Sequence, residues 1–202
     1  MCMSEASPNL QKILNFATLL NKFRAVTRVI LVNGEDRYEN DVEHSYMLTM
    51  LADYIISVEN LSLDRQKVMS YCLVHDFVEV YAGDTPLYSK DKKYIESKHL
   101  REAQALKQII SEFPEHKNMY ETISVYEEKK DDESRFVYAL DKVQPIIQNY
   151  LDGGRIWKKE DITLTQIKEN KKEKVAMSPI VEKYWKELEV ILERNKSTLF
   201  PK

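Results

Sequence analysis

Four polar side chains stand where the surrounding sequence predicts a buried, apolar environment: His44, His75, Asp76 and Asp141. Residues 68–82, which include the histidine-aspartate doublet, are apolar almost all the way round a helix, and such a helix is buried on most sides. Burying an unpaired carboxylate costs several kcal/mol or more, so a buried carboxylate pairs with another group or binds a metal ion. The sequence therefore predicts that these four side chains converge on one metal ion.

The chemistry of such a site follows from its ligands. Two imidazoles and two carboxylates suit one divalent transition-metal ion (Mn, Fe, Co, Ni or Zn) better than calcium or a metal that prefers thiolates. An ion with free coordination positions accepts water and a substrate oxygen, lowers the pKa of the bound water to about 7 and polarises a phosphoryl group. This ligand set is suited to metal-assisted attack by water, including attack at a phosphoryl group.

Helices must position these residues, because apolar residues recur at helical spacing and only four of the 202 residues are glycine. The predicted fold class is all-α. Asn40 and Glu43 have the spacing of a capping box, which would begin the helix of His44. The predicted helices cover about 9–22, 40–58, 64–83, 92–112, 115–127, 134–152, 160–174 and 179–195.

Composition excludes several classes of protein. The net charge of −3 offers no general basic face, so no nucleic acid is predicted as a partner. No apolar run approaches the roughly 20 residues that span a bilayer, and residues 1–5 lack the features of a secretory signal. Two cysteines make no disulfide framework. We expect a cytoplasmic protein with no membrane contact.

The motifs resemble those of a known family. His44, the doublet His75-Asp76 and Asp141 match the H…HD…D signature of the HD superfamily of metal-dependent phosphohydrolases. The strings around them, VEHS at 42–45, HDFVEVYAGD at 75–84 and LDK at 140–142, are similar to those of the 5'-deoxynucleotidase branch. The resemblance implies an all-α, single HD-domain helical bundle over residues 1–202. Its HD core would cover about 27–151, with C-terminal helices at about 155–196 packed on it.

The resemblance also implies roles for individual residues. Glu79 lies where the branch has a glutamate that helps to activate the attacking water, and Asp84 matches an aspartate that contacts the sugar and assists at the phosphate. An arginine upstream of the first histidine binds the phosphate; Arg28 is the candidate and Arg37 the alternative. The branch usually has a tryptophan after that arginine, where this chain has Val29, which leaves the base contacts open. Members are commonly homodimers, so a homodimer is implied.

Each assignment has a plainer alternative. Asp141 could pair with Arg135 or Lys142 on a helix face, and Glu79 could be an ordinary salt-bridge partner. Asp84, next to a glycine, could simply form a turn. The basic run at 168–174 is predicted to be a solvated helix face.

Three functions remain open from the sequence. The first is hydrolysis of (deoxy)nucleoside 5'-monophosphates, which are small-molecule nucleotide substrates, by attack of metal-activated water. The second is hydrolysis of another phosphorylated nucleotide, namely a triphosphate, a cyclic nucleotide or an alarmone. The third is a non-catalytic module that binds a nucleotide and uses the metal as a structural staple. Glu79 favours the enzymes, because a purely structural metal site needs no such base.

Overall fold

The computed structural model describes residues 7–88 and 91–201, and in this part of the chain it is helical apart from one short hairpin. The all-α fold class is therefore confirmed. The elements are α1 (Pro8–Phe23), β1 (Thr27–Leu31), β2 (Tyr38–Asn40), α2 (Asp41–Glu59), α3 (Arg65–Val74), α4 (Glu79–Ala82), α5 (Lys92–Glu96), α6 (Lys98–Glu112), α7 (Lys117–Glu128), α8 (Asp132–Leu151), α9 (Arg155–Lys159), α10 (Leu164–Val175), α11 (Pro179–Arg194) and α12 (Lys196–Leu199).

The start of α2 follows from its sequence. The Asn40 side chain accepts hydrogen bonds from the backbone N–H groups of Val42 and Glu43, and the Glu43 carboxylate accepts one from the backbone of Asn40. This is the predicted capping box, and it satisfies N–H groups that have no partner inside the helix. It fixes the first turn of α2, which carries His44.

A two-stranded antiparallel hairpin precedes α2, in a stretch for which the sequence predicted no regular structure. β1 pairs with β2, with Thr27 opposite Asn40 and Leu31 opposite Tyr38. Alternate residues of a strand point to opposite faces, so the hairpin turns Arg28 and Glu39 inward while their neighbours face solvent. The hairpin therefore contributes two charged side chains to the interior.

The helix predicted over 64–83 is not continuous. α3 ends at Val74, and the backbone then forms i to i+3 hydrogen bonds, from Phe77 N to Val74 O and from Glu79 N to Asp76 O, before α4 begins. These tighter turns change the direction of the side chains. The apolar sequence gave no sign of the break. Nor is the segment buried on all sides, since 56% of Leu73 is exposed.

The C-terminal helices share the main apolar core. That core runs from Leu31 to Phe200 and includes residues of α2, α3 and α8 as well as α10 and α11. Trp157 is buried in it and stacks on Phe200, with ring centroids 4.6 Å apart, so this tryptophan is a packing residue. α10 and α11 both pack on α8, the helix of Asp141. A second core joins α1, α4, α6 and α7.

The structure bears on four further predictions. The helix expected over 92–112 divides at Ser97, whose hydroxyl donates to the Tyr94 carbonyl and so competes with helical bonding. The run at 168–174 is not wholly solvated, because Lys171 is 5% exposed. Cys72 is a buried free thiol, whereas Cys2 lies outside the described residues. None of the described helices is long and apolar enough to cross a bilayer.

Candidate metal centre

His44 is delivered to the interior by the first turn of α2, and its side chain is fully buried. Its Nε2 lies 3.0 Å from Asp141 Oδ1 and 3.8 Å from Asp76 Oδ2. On the other side of the ring, Nδ1 is 3.3 Å from Glu39 Oε1, an ion-pair distance without a hydrogen bond between the two atoms. The carboxylate of Glu39 therefore faces one ring nitrogen and the site faces the other, an arrangement that orients histidine ligands in metalloproteins.

The break after α3 places the doublet. His75 is the C-cap residue of α3, and its Nδ1 contacts the Cys72 carbonyl at 2.8 Å. Because a carbonyl only accepts, Nδ1 carries the proton of the neutral ring, and the lone pair is left on Nε2. That Nε2 lies 3.0 Å from Asp76 Oδ2 and 3.2 Å from His44 Nε2. The tautomer thus directs a potential ligand atom at the other three groups.

Asp141 completes the cluster from the middle of α8, where it is 3% exposed. Its Oδ1 faces His44, and its Oδ2 accepts a hydrogen bond from Lys142 Nζ at 2.5 Å. Asp141 therefore does pair with Lys142, as one alternative from the sequence held. It also lies close to the histidines. Arg135 instead bonds the exposed Asp132.

Potential ligand atoms of all four residues lie within 4.8 Å of one another. Lone pairs of two imidazoles and two carboxylates repel at this distance unless positive charge lies between them. Burial lowers the pKa of His75, but Asp76 and Asp141 outweigh burial and raise that pKa to about 10. The pocket thus favours positive charge, and its nitrogen and oxygen donors fit a divalent transition-metal ion.

Arg28 reaches the site from β1. Its Nη1 lies 2.6 Å from Asp76 Oδ2 and 3.3 Å from Asp41 Oδ1, and its side chain is 13% exposed. Asp41, Asp76 and Glu79 form a second acidic group beside the first, and Arg28 neutralises part of its charge. The alternative, Arg37, is 49% exposed and pairs with Glu35 and Glu43. The structure therefore brings Arg28 to the cluster and not Arg37.

Glu79 begins α4 and is 2% exposed. Its Oε1 lies 3.8 Å from Lys98 Nζ, and its Oε2 is buried without a hydrogen-bond partner. Burial, with Asp76 and Asp41 nearby, raises the pKa of Glu79 well above its usual value. One distant contact with Lys98 does not account for the burial of Glu79. The alternative that Glu79 is an ordinary salt-bridge partner therefore explains only part of its surroundings.

Asp84 lies just beyond α4 in a loop held by α5 and α6. Gly83 has a φ of 73°, and a Cβ there would lie 2.9 Å from Tyr94 Oη, so a side chain would be both strained and crowded. Arg101 donates to the Ala82 carbonyl and, over 2.7 Å, to Thr85 Oγ1. Burial raises the pKa of Asp84, against the opposing charge of Arg28. The segment at Asp84 is irregular and not an assigned turn, and the charges of Arg28, Asp76 and His44 all act on the Asp84 carboxylate.

Sequence reasoning missed several charged residues around the cluster. Glu39, Asp41 and Lys98 all face it, and Arg101 fixes the loop of Asp84. Inward alternation on a short strand could have indicated Glu39. Asp41 has the appearance of an ordinary acidic residue in a first helical turn, and no sequence signal distinguishes it.

The fold and this site define the class of protein. The sequence model of a family described as "HD domain" matches residues 20–185, so the chain belongs to the HD domain family. A predicted metal-dependent phosphohydrolase from Magnetospirillum magnetotacticum superimposes with a TM-score of 0.79 at 25% identity, over 95% of this chain and 96% of that one.

Among characterised sequences, the chain is similar to 5'-deoxynucleotidases. The human 5'-deoxynucleotidase HDDC2 is 33% identical over 141 residues, which cover 68% of this chain and 67% of the human protein. The 5'-deoxynucleotidase YGK1 of Saccharomyces cerevisiae is 29% identical over 154 residues, which cover 72% of this chain and 68% of the yeast protein.

Proposed function

We propose that this chain is a metal-dependent phosphohydrolase that removes phosphate from (deoxy)nucleoside 5'-monophosphates. The observation that carries the proposal is the convergence of two imidazoles and two carboxylates within 4.8 Å, beside a buried glutamate with an unpaired oxygen. Similarity to 5'-deoxynucleotidases supports the substrate class.

In this proposal His44, His75, Asp76 and Asp141 hold one divalent transition-metal ion, of which Mn, Fe, Co, Ni and Zn are the candidates. When bound, the ion supplies Lewis-acid charge to the phosphoryl group and acidifies water. Glu39 orients His44 from behind, and the Cys72 carbonyl orients His75. These outer contacts keep both Nε2 atoms directed at the centre.

The chain's own groups account for the movement of the proton and for positioning. Glu79 accepts a proton from the attacking water, since its Oε2 is buried and free of other bonds. The water oxygen bonds to phosphorus, the bond from phosphorus to O5' breaks, and the nucleoside oxygen leaves and takes up a proton. Arg28 neutralises and positions the phosphate, and Asp84 contacts the sugar and assists at the phosphate.

The organisation of the protein belongs to the same proposal. A single domain is supported by the apolar core that joins residues of α2 and α8 to residues of α10 and α11. A homodimer is supported by exposed apolar side chains on α2 and α3, namely Tyr46, Met47, Met50, Tyr54 and Leu73. A reducing cytoplasm suits the free thiol of Cys72, and the net charge of −3 argues against nucleic acid as a partner.

The test measures phosphate release by protein stripped of metal and then loaded separately with Mn, Fe, Co, Ni or Zn. The substrates are the common ribo- and deoxyribonucleoside 5'-monophosphates, with triphosphates and cyclic nucleotides alongside. We expect turnover of monophosphates that depends on the added metal. Turnover of triphosphates or cyclic nucleotides alone would contradict the substrate class. Bound metal without turnover of any nucleotide would contradict the enzymatic function, and full turnover by stripped protein would contradict the mechanism.

A further inference from the structure

One lysine of the C-terminal region lies on the buried face of its helix. The buried residues of α10 are Leu164, Ile167, Lys171 and Val175, which form one stripe at helical spacing. Three of them are apolar and pack into the main core. Lys171 occupies the same stripe and is 5% exposed, whereas its neighbour Lys172 is exposed. A buried lysine normally has a carboxylate partner.

No described carboxylate pairs with Lys171. Among the described residues, no group lies within hydrogen-bond or ion-pair distance of its Nζ. This Nζ is also absent from the fully buried atoms that lack a partner, so the end of the side chain keeps some access to solvent. The ammonium is therefore not completely sealed within apolar packing.

The surroundings of this ammonium are the candidate metal centre. Burial lowers the pKa of Lys171 to about 7, and repulsion from Lys142 and Lys174 adds to that effect, while Asp141 acts in the opposite direction. Arg28 is close enough to contribute as well. α10 packs on α8, which carries Asp141 and Lys142. The charges of Lys142, Lys174 and Asp141 therefore all act on Lys171, which lies on the helix packed against α8.

The other groups there already have partners. Lys142 donates to Asp141 Oδ2, and Lys174 donates to Asn170 Oδ1 over 2.9 Å. Both carboxylate oxygens of Asp141 are used, one by Lys142 and the other by His44. Among the described residues, no carboxylate lies within ion-pair distance of Lys171 Nζ, so we take its partner to be an anion from outside the chain.

We propose that Lys171 binds an oxygen of the substrate's phosphate group, and that α10 thereby completes the phosphate site from outside the helices that carry the metal ligands. The identity of the substrate rests on the function proposed above, but the anion site does not. A phosphate at this position gives the buried ammonium its missing charge-assisted hydrogen bond. Release of inorganic phosphate then leaves Lys171 without a partner again, ready for the next substrate.

The test compares two variants of the full, metal-loaded chain, Lys171→Met and Lys172→Met. Each removes one charge from the same helix and keeps the length of the apolar stem, but only Lys171 is buried. Binding of inorganic phosphate is measured by calorimetry, metal content by elemental analysis, and thermal stability by melting. Where nucleotide turnover is present, KM and kcat are determined separately.

For Lys171→Met we expect phosphate affinity to fall about tenfold or more, the size of one charge-assisted hydrogen bond. KM should rise, metal content should stay the same, and the melting temperature should be equal or higher, because an unpartnered buried charge has been removed. Lys172→Met should match the unaltered protein in all these respects. A second measurement needs no variant: phosphate should protect Lys171, and not Lys172, from an amine-reactive reagent, as read by mass spectrometry.

The proposal is overturned if Lys171→Met binds phosphate as tightly as the unaltered protein, or if both variants weaken binding equally. A lower melting temperature with loss of metal would make Lys171 a structural residue and would also overturn it, as would labelling of Lys171 that phosphate does not change. Failure of the proposed function is a separate result. In that case no nucleotide is turned over, but inorganic phosphate still distinguishes the two variants.

Discussion

On the side of the site formed by α2, α3 and α8, each histidine and aspartate of the cluster lies within 3.0 Å of another of its members. On the side formed by α10, Lys171 is nearly as buried, yet no described group lies within bonding distance of its Nζ. In our proposal, one metal ion that stays with the protein satisfies all the ligand atoms of the first region. The second region contains one positive charge, that of Lys171, and the anion proposed to pair with it binds and is then released. The comparison separates groups that hold a cofactor from groups that recognise a ligand.

The largest expected effect follows from removing one proposed metal ligand from the cluster. Asp76→Ala should lose both the metal and turnover, the latter by about a thousandfold or more, because the ion and the positioned charge disappear together. Elemental analysis and phosphate release measure the two losses. Asp53→Ala is the control, since Asp53 pairs with Arg65 on the protein surface. Retention of metal at the usual stoichiometry by Asp76→Ala would remove this residue from the ligand set.

Glu79 should separate metal binding from chemistry. Glu79→Gln should keep its metal and lose about 10²–10⁴-fold in kcat, because the amide cannot accept the proton from water. Lys98 lies near both Glu79 and Glu102, so Glu102→Gln tests whether disturbing Lys98 is enough to reduce the rate. We expect Glu102→Gln to keep nearly full activity. Equal losses in the two variants would mean that Glu79 acts only through Lys98.

Glu39 tests the outer contacts of the first region. Glu39→Gln removes the charge that faces His44 Nδ1, and we expect metal affinity to fall about 10–100-fold, as is usual when such an orienting group is lost. Competition with a chelator measures the affinity. Glu35→Gln on the exposed part of the hairpin should change nothing. An unchanged metal affinity in Glu39→Gln would show that the orientation of His44 comes from packing alone.

The smallest effect concerns a charge whose partners all lie within the chain. Asp131 caps α8 and accepts hydrogen bonds from Ser134 N and Tyr71 Oη. Asp131→Ala should lower the free energy of unfolding by about 1 kcal/mol at neutral pH. Urea unfolding measures this, with Asp132→Ala at an exposed neighbouring position as the control.

The pH dependence of that effect follows from the pKa. Burial opposes ionisation of Asp131, but the Ser134 backbone and Lys67 outweigh burial and lower the pKa to about 2. Because the folded value lies below the unfolded value of about 4, the stabilisation is fully present above pH 4 and is lost as the pH falls through about 2. The difference between Asp131→Ala and the unaltered protein should shrink over that range. A difference that is constant with pH would assign the effect to the cap geometry alone.

The first region could be predicted from the sequence because its polar residues interrupt apolar surroundings. His75 and Asp76 stand out in residues 68–82, and the capping box at Asn40 fixes the helix that carries His44. The break after Val74 could not be predicted, because nothing in a continuous apolar stretch shows where a helix will tighten. Contacts from Arg101 to loop carbonyls depend on a loop conformation that no local pattern encodes.

The role of Lys171 is difficult to predict from the sequence because of the residues around it. Lys171 lies in a segment where most neighbours are also charged, so one more lysine attracts no attention. The signal was the stripe of Leu164, Ile167 and Val175, whose spacing includes position 171. A buried polar residue is easy to recognise in a sequence when its neighbours are apolar and hard to recognise when they are charged. The free-energy cost of burying it is the same in both cases.

The contact at Gly154 has a structural consequence. A Cβ there would lie only 2.1 Å from the Leu199 carbonyl oxygen, so Leu199 rests directly on the backbone that follows the helix of Asp141. Phe200, the next residue, stacks on Trp157. A change to the backbone at Leu199 would therefore reach the segment that follows the helix of Asp141, although the two positions are far apart in the sequence.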